Sequence, residues 1–359
     1  METFSCTTKI ISGPGSLREL KQLKSRRLLV VAAPFFQETD VPRRIQSAAR
    51  ADSVAYFYEV SGEPSVELAA KGTALVEKFQ PDTVVALGGG SVMDCAKAMV
   101  YFSGKQIPLV AIPTTSGSGS EVTDFSVLTH NGSKHPLVDK ALQPAMAILD
   151  GDLLHTLPKS VIAEAGYDIV AHAVESYVAT GAGAISMALA RDAFVAAGTA
   201  LPASYYGDTR VRQDIHLAAT MAGIAFSQSG LGLCHAMAHA IGGRFHIAHG
   251  RLNAILLPAV VENNTAANSK YAALARSAGF GGAADAVAVR NLRNALVHLR
   301  KELQLPQTLA QAGIPTKELA AQTGELVRDT LADPCCATNP VPPTEDMVRR
   351  VLHQVTGVG

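Results

Sequence analysis

Five short apolar runs, at residues 27–33, 54–60, 83–87, 108–112 and 145–149, limit the folds open to this chain more than any other feature. Runs of that length, rich in Val, Leu, Ile and Ala, read as strands covered on both faces, as in a parallel sheet. Between them lie segments such as residues 65–78, whose apolar positions recur at helical spacing. Strand, helix, strand in succession builds an open α/β sheet with helical crossovers.

After Pro158 the texture changes to Ala-rich helical stretches with strand-like runs nearly absent. A boundary near 155 follows, with an α/β nucleotide-binding domain over 1–155 and an all-helical metal-binding domain over 156–359. At 359 residues the chain is long enough for two cores. The glycine-rich stretch from Gly279 reads as a bend between helices, and Asn339-Pro-Val-Pro-Pro-Thr as a stop before the last one.

Lys+Arg and Asp+Glu balance at 31 each, which argues against a polyanionic partner such as nucleic acid. The first residues lack the basic and apolar regions of a leader, and no uninterrupted apolar stretch is long enough for a membrane span. The expectation is a cytoplasmic protein acting on small molecules. Five cysteines, an odd number, fit a reducing compartment, and the adjacent Cys335 and Cys336 are poorly placed to bond each other.

Two corners carry the first chemical signal. Residues 84–97, Val-Val-Ala-Leu-Gly-Gly-Gly-Ser-Val-Met-Asp-Cys-Ala-Lys, break from a strand into glycines and start a helix, with Ser91 expected at its N-cap. Glycines allow a ligand close to the backbone, and the first N–H groups of a helix favour a phosphate. A second corner, Pro113-Thr-Thr-Ser-Gly-Ser-Gly-Ser-Glu, again puts hydroxyls and glycines after a strand. Either is by itself an ordinary capped turn; together they suit a dinucleotide, although neither is a GxGxxG fingerprint.

The second signal is a histidine and aspartate constellation. Asp168 and His172 stand four apart and share a helix face. His235, His239, His246 and His249 fall within fifteen residues, with the first two on one face and glycines after Ile241 offering a turn that returns His249. A lone histidine on an apolar face is usually a satisfied core residue, but the clustering points to Zn²⁺ or Fe²⁺ held by imidazoles and a carboxylate. Spacing leaves open which histidines bind metal and which moves a proton.

Taken in order, Gly88-Gly-Gly-Ser-Val-Met-Asp-Cys-Ala-Lys97, Pro113-Thr-Thr-Ser-Gly-Ser-Gly-Ser-Glu-Val-Thr123, Gly166-Tyr-Asp-Ile-Val-Ala-His-Ala-Val-Glu175 and His235-x3-His239-x9-His249-Gly250 resemble the iron-containing (group III) alcohol dehydrogenases. The resemblance runs from Ser12-Gly-Pro-Gly-Ser-Leu to Thr338-Asn-Pro340. Within the family, Glu2-Thr-Phe-Ser and residues 225–233 are similar to the 1-propanol dehydrogenase branch of propanediol utilisation and its ethanolamine-utilisation relative. It implies an α/β dinucleotide-binding domain followed by an all-α domain, of the dehydroquinate synthase-like kind. It further implies reversible oxidation of a short-chain primary alcohol, 1-propanol or ethanol, with NAD(H) or NADP(H).

Residue by residue, the resemblance implies that Asp168, His172, His235 and His249 bind Fe²⁺, with Zn²⁺ the other candidate, and that His239 lies beside the nicotinamide as the catalytic proton relay. Gly89, Gly90, Ser91 and Asp94 match the pyrophosphate loop, and Thr114, Thr115 and Ser116 the second cofactor corner. Val127, Lys134 and Leu153 are weaker correspondences. His246 is assigned a supporting or structural role. Where many NAD-preferring relatives carry an Asp after the first strand, this chain has Ala33, so NAD is expected with NADP admitted. Tyr167 replaces the usual small aliphatic residue beside Asp168 and should alter packing there.

The alternatives within the fold are a glycerol or polyol dehydrogenase and a lyase, the latter disfavoured because no basic cluster for a phosphorylated substrate is evident. A non-catalytic component of a bacterial microcompartment is the alternative of another class. The family implies a homodimer or larger assembly, and encapsulation with microcompartment components is compatible with the sequence.

Overall fold

The computed structural model describes residues 3–130 and 133–357. They form two compact units, Ser5–Leu157 and the chain from Pro158 onward, the latter including the described residues before Ser5.

In the first unit the strands β1 (Lys9–Ser12), β2 (Arg27–Ala32), β3 (Ser53–Phe57), β4 (Thr83–Gly88), β5 (Leu109–Pro113) and β8 (Met146–Leu149) form one parallel sheet in the order β1-β8-β5-β4-β2-β3. Helices α1 (Val41–Ala49), α2 (Val66–Phe79) and α3 (Gly90–Phe102) belong to the same unit. Period-two geometry explains why the strands are apolar throughout. Val84 and Ala86 face a core with Val76, Met93 and Met99, while Val85 and Leu87 face the opposite core with Leu17, Leu20 and Ile45. From β2 the chain moves outward to β3 and then returns to β4 on the other side of β2, so the strand order reverses beside the β4 glycine corner. In open α/β sheets, ligands bind at such a reversal.

Two elements of this unit escape the sequence pattern. Edge strand β1 pairs Ile10 with Ala147 and Ile11 with Ile148, but it has too few apolar residues to register as a run. The antiparallel hairpin β6 (Phe125–His130) and β7 (Ser133–Val138) mixes polar residues and a proline and stands outside the six-stranded sheet, with a single parallel bridge from Thr129 to Ser65 before α2.

The second unit is helical throughout its described residues: α4 (Lys159–Val178), α5 (Ala184–Tyr205), α6 (Arg212–Ser229), α7 (Leu233–Phe245), α8 (His249–Asn263), α9 (Asn268–Ser277), α10 (Asp285–Glu302), α11 (Thr316–Ala332) and α12 (Glu345–Thr356). Helix α4 is its axis, buried without interruption from Gly166 to Val178. Burial on every side explains why its apolar residues show no single stripe, and it makes every polar side chain there conspicuous. Tyr167 is fully buried and its hydroxyl donates to the Leu296 carbonyl at 3.0 Å, the partner a buried phenol requires.

Candidate metal centre and cofactor loops

Asp168, His172 and Glu175 recur on α4 at i, i+4 and i+7, one face of the helix. Opposite them, α7 supplies His235 and His239, and α8 supplies His249 and Asn253. The donor atoms of Asp168, His235 and His249 all lie within 4.8 Å of one another. His235 Nε2 is 3.8 Å and His249 Nε2 3.7 Å from Asp168 Oδ1. His172 stands beside this trio: its Nδ1 is 3.9 Å from Asp168 Oδ2, and its ring stacks 4.5 Å from both His235 and Phe226.

The Asn253 amide nitrogen, fully buried, donates to Asp168 Oδ1 at 2.7 Å and lies 3.1 Å from His249 Nε2 and 3.3 Å from His235 Nε2. One amide has two hydrogens and cannot satisfy three acceptors. Three lone pairs directed at one buried point are a donor set for a cation. Imidazole and carboxylate without thiolate suit Fe²⁺ or Zn²⁺ better than Mg²⁺. Burial pushes the Asp168 carboxyl up, but the imidazoles and the Asn253 bond outweigh it and hold the group below its usual range, hence ionised. Burial drives His249 well below the ordinary imidazole value, against the pull of Asp168 and with the other histidines adding to the fall, so it is neutral and able to ligate.

Glu175 is the part of this site that motif reading passed over. Its carboxylate accepts the backbone N–H groups of Gly232, Cys234 and His235 at 3.1, 2.7 and 3.2 Å, and His235 Nδ1 at 2.6 Å. Helix α7 begins at Gly232 with no side-chain cap of its own, so a carboxylate from another helix caps it. The Leu233 N–H goes to Asn339 Oδ1 at 3.0 Å. By taking Nδ1–H, Glu175 leaves His235 Nε2 as the lone-pair nitrogen facing Asp168. The clue was present in the i+7 spacing from Asp168. For Asn253 it was the i+4 spacing from His249.

His239, its side chain 36% exposed, stacks 5.1 Å from the His249 ring. Its Nδ1 is 2.9 Å from Asp333 Oδ2, and the other oxygen of Asp333 accepts the Cys335 N–H at 2.8 Å. Burial raises the Asp333 carboxyl, yet the His239 bond and the backbone N–H more than reverse that and place it below its ordinary range. An ionised carboxylate only accepts, so His239 Nδ1 donates, and in the neutral ring the lone pair lies on Nε2. Nothing near Asp333 in the sequence announces this partnership, which spans 94 positions.

The glycines after Ile241 do not make the turn that returns His249. Gly242 and Gly243 lie inside α7, where Gly242 admits Leu252 of α8 closely. The chain reverses at His246 instead, in the left-handed conformation at φ 53°. Return of His249 depends on Gly250, where a Cβ would stand 2.0 Å from the Glu164 carbonyl oxygen of α4.

In the α/β unit the two polar corners lie side by side. β4 and β5 are neighbours, Thr114 N–H donates to Gly88 O at 3.0 Å, and Cβ atoms at Gly89 and Gly90 would meet Thr115 Oγ1 at 2.8 Å and Ser118 Oγ at 3.0 Å. Helix α3 begins at an N-cap of Gly89 rather than Ser91, which sits inside the first turn. A glycine cap makes no side-chain bond, which keeps the helix entrance open to an anion. Thr114 and Ser116 are buried, and Thr115 is half-buried. Asp94 turns inward, accepting Ser120 Oγ–H at 2.8 Å and the Val127 N–H at 3.2 Å, and burial raises its carboxyl. It therefore braces the second corner and the hairpin. Lys134 on β7 pairs with Glu63, and Leu153 packs against the core that contains Leu17, Leu20 and Ile45. Ala33, directly after β2, caps the short turn Pro34–Glu38.

Comparison with known proteins agrees with this architecture along the chain. The model of the iron-containing alcohol dehydrogenases matches residues 7–151, and that of the C-terminal part of the Fe-containing alcohol dehydrogenase family matches residues 162–356. The chain is 37% identical over 369 residues to the 1-propanol dehydrogenase PduQ of Salmonella typhimurium, covering 99% of this chain and 100% of that one. It is 33% identical to an NADPH-dependent butanol dehydrogenase of Clostridium saccharobutylicum, over 99% and 98% of the two chains. An iron-containing alcohol dehydrogenase of Thermococcus thioreducens superposes with a TM-score of 0.92 at 33% identity, over 98% of this chain and 99% of that one.

Proposed function

Because the chain belongs to the iron-containing alcohol dehydrogenase family, we propose that it interconverts a short-chain primary alcohol, 1-propanol foremost, and the corresponding aldehyde with a nicotinamide cofactor. The observation that carries this reading is the convergence of Asp168, His235 and His249 on one buried point, with half-exposed His239 stacked beside it. The substrate class is supported by similarity to proteins named for 1-propanol and butanol.

In this reading Asp168, His172, His235 and His249 hold Fe²⁺, or Zn²⁺, which affinity alone ranks higher. Bound there, the cation supplies positive charge at the reacting oxygen, and the nicotinamide ring gives or takes the hydride. Glu175 keeps His235 in the tautomer that ligates. His239 takes the alcohol proton on Nε2 while its Nδ1–H stays on Asp333, which stabilises the imidazolium as it forms. Gly89, Gly90 and Ser91 receive the pyrophosphate at the α3 entrance; Thr114, Thr115 and Ser116 form the neighbouring wall, braced by Asp94, with Val127, Lys134 and Leu153 at its margin. Ala33 places no carboxylate against a 2′-phosphate, so NADP(H) is accepted along with NAD(H).

The test is the anaerobic initial rate of propionaldehyde reduction by Fe²⁺-loaded protein, with NADH and NADPH side by side. Turnover with both cofactors, lost on adding a chelator, is expected. Inactivity with either cofactor would turn attention to polyols.

A further inference from the structure

Beside the metal-ligand face lies a second group of donors of different chemistry. Ligand atoms of His239, Asp333 and Cys335 lie within 4.8 Å of one another, and all three residues are partly exposed. Two of them are held in place. Asp333 is the N-cap of the short helix Pro334–Thr338, with one oxygen on the Cys335 N–H and the other on His239 Nδ1. Cys335 follows two residues later on the same turn and is a free thiol. Its neighbour Cys336 points elsewhere, its Sγ on the Thr330 carbonyl at 3.0 Å.

We propose that His239, Asp333 and Cys335 form a second, inhibitory site for a thiophilic divalent cation such as Zn²⁺. A three-donor set of imidazole, carboxylate and thiolate, with a position left for water, is a Zn²⁺ arrangement, and the sulfur makes it selective against Mg²⁺ and weaker for Fe²⁺. Charge counting separates it from the neighbouring centre. One carboxylate with neutral imidazoles leaves a divalent ion net positive there. Carboxylate and thiolate together neutralise a second ion completely, so two cations can stand close without strong repulsion. On binding, the thiol proton leaves to solvent and the sulfur bonds the ion; no electron is transferred. The Nδ1 proton of His239 moves through solvent to Nε2, so that Nδ1 and the Asp333 carboxylate bond the ion and no lone pair remains on Nε2 to take the alcohol proton. Binding rests on the donor geometry alone, whereas inhibition rests on the relay role given to His239.

The experiment titrates Cd²⁺, a spectroscopically visible thiophilic probe, into protein already loaded at the Asp168 centre, following thiolate-to-cadmium absorption, metal content and alcohol oxidation together. One Cd²⁺ per chain is expected to bring up the band and suppress turnover. Cys335→Ser should keep basal turnover and raise the Cd²⁺ needed for half-inhibition by ~100-fold; Cys336→Ser should behave as the parent. A parent protein without the band, or a Cys335→Ser protein with undiminished band and inhibition, overturns the site. A band that depends on Cys335 but leaves turnover untouched upholds the site and overturns the relay role of His239.

Discussion

At the scale of single residues the decisive contacts are those that tell one imidazole nitrogen from the other. Glu175 does this for His235, and Asp333 for His239. Replacing Glu175 by Gln sets an amide N–H against donors and removes an acceptor from the α7 entrance. Metal affinity, read by competition with a chromophoric chelator, should fall ~10–100-fold, and unchanged affinity in a folded variant would show that Glu175 only caps the helix. His239→Ala should behave in the opposite manner: kcat lower by ~100-fold or more, with metal content by elemental analysis intact. Loss of metal there would make His239 a ligand. Both partners show how far local reading reaches. Glu175 lies on a helical period already marked by Asp168 and His172, whereas Asp333 is brought to His239 by folding alone.

Between elements, the position of His249 is set by how closely α8 approaches α4. A methyl group at Gly250 would overlap the Glu164 carbonyl. Gly250→Ala should therefore cost ~3 kcal/mol by denaturant unfolding and lower metal content, although no ligand is changed. In the α/β unit the corresponding brace is Lys97, fully buried, whose ammonium donates to the carbonyls of Thr123 and Phe125 and to Thr123 Oγ1 at 2.8–3.0 Å. Burial lowers its pKa from 10.5 to about 8, although Asp94, Glu121 and Asp124 oppose the fall. Below about pH 8 folded and unfolded chains both hold the proton. Between pH 8 and about 10 the unfolded chain holds more, and this lysine's contribution to stability rises with pH. The stability of the parent relative to Lys97→Met should thus shift by ~2 kcal/mol in the parent's favour between about pH 7.5 and 9.5. A gap that is flat or moves the other way would contradict the lowered value.

For the molecule as a whole, an ion that binds only the folded helical unit stabilises it by mass action, ~2.7 kcal/mol at a hundredfold excess over its dissociation constant. Chelation should lower the melting temperature and speed amide exchange in α4, α7 and α8, leaving the sheet of the α/β unit unaffected; uniform loss of protection would refute this localisation. The sequence by itself determined the fold class and the family, and it marked the histidines, Asp168 and the glycine corners as the places to look for chemistry, because buried parallel strands, helix faces and glycine corners are local patterns in the chain. It did not disclose strand β1, the β6–β7 hairpin, the Gly89 cap or the turn at His246. Those depend on which neighbour supplies the missing hydrogen bond or leaves the needed space. Tertiary structure alone decided that Asn253 stands among Asp168, His235 and His249, that a carboxylate from α4 caps α7, and that Asp333 reaches His239. The physical reason is the same in each case: a buried polar group must find a partner, and that partner can come from a segment far away in sequence.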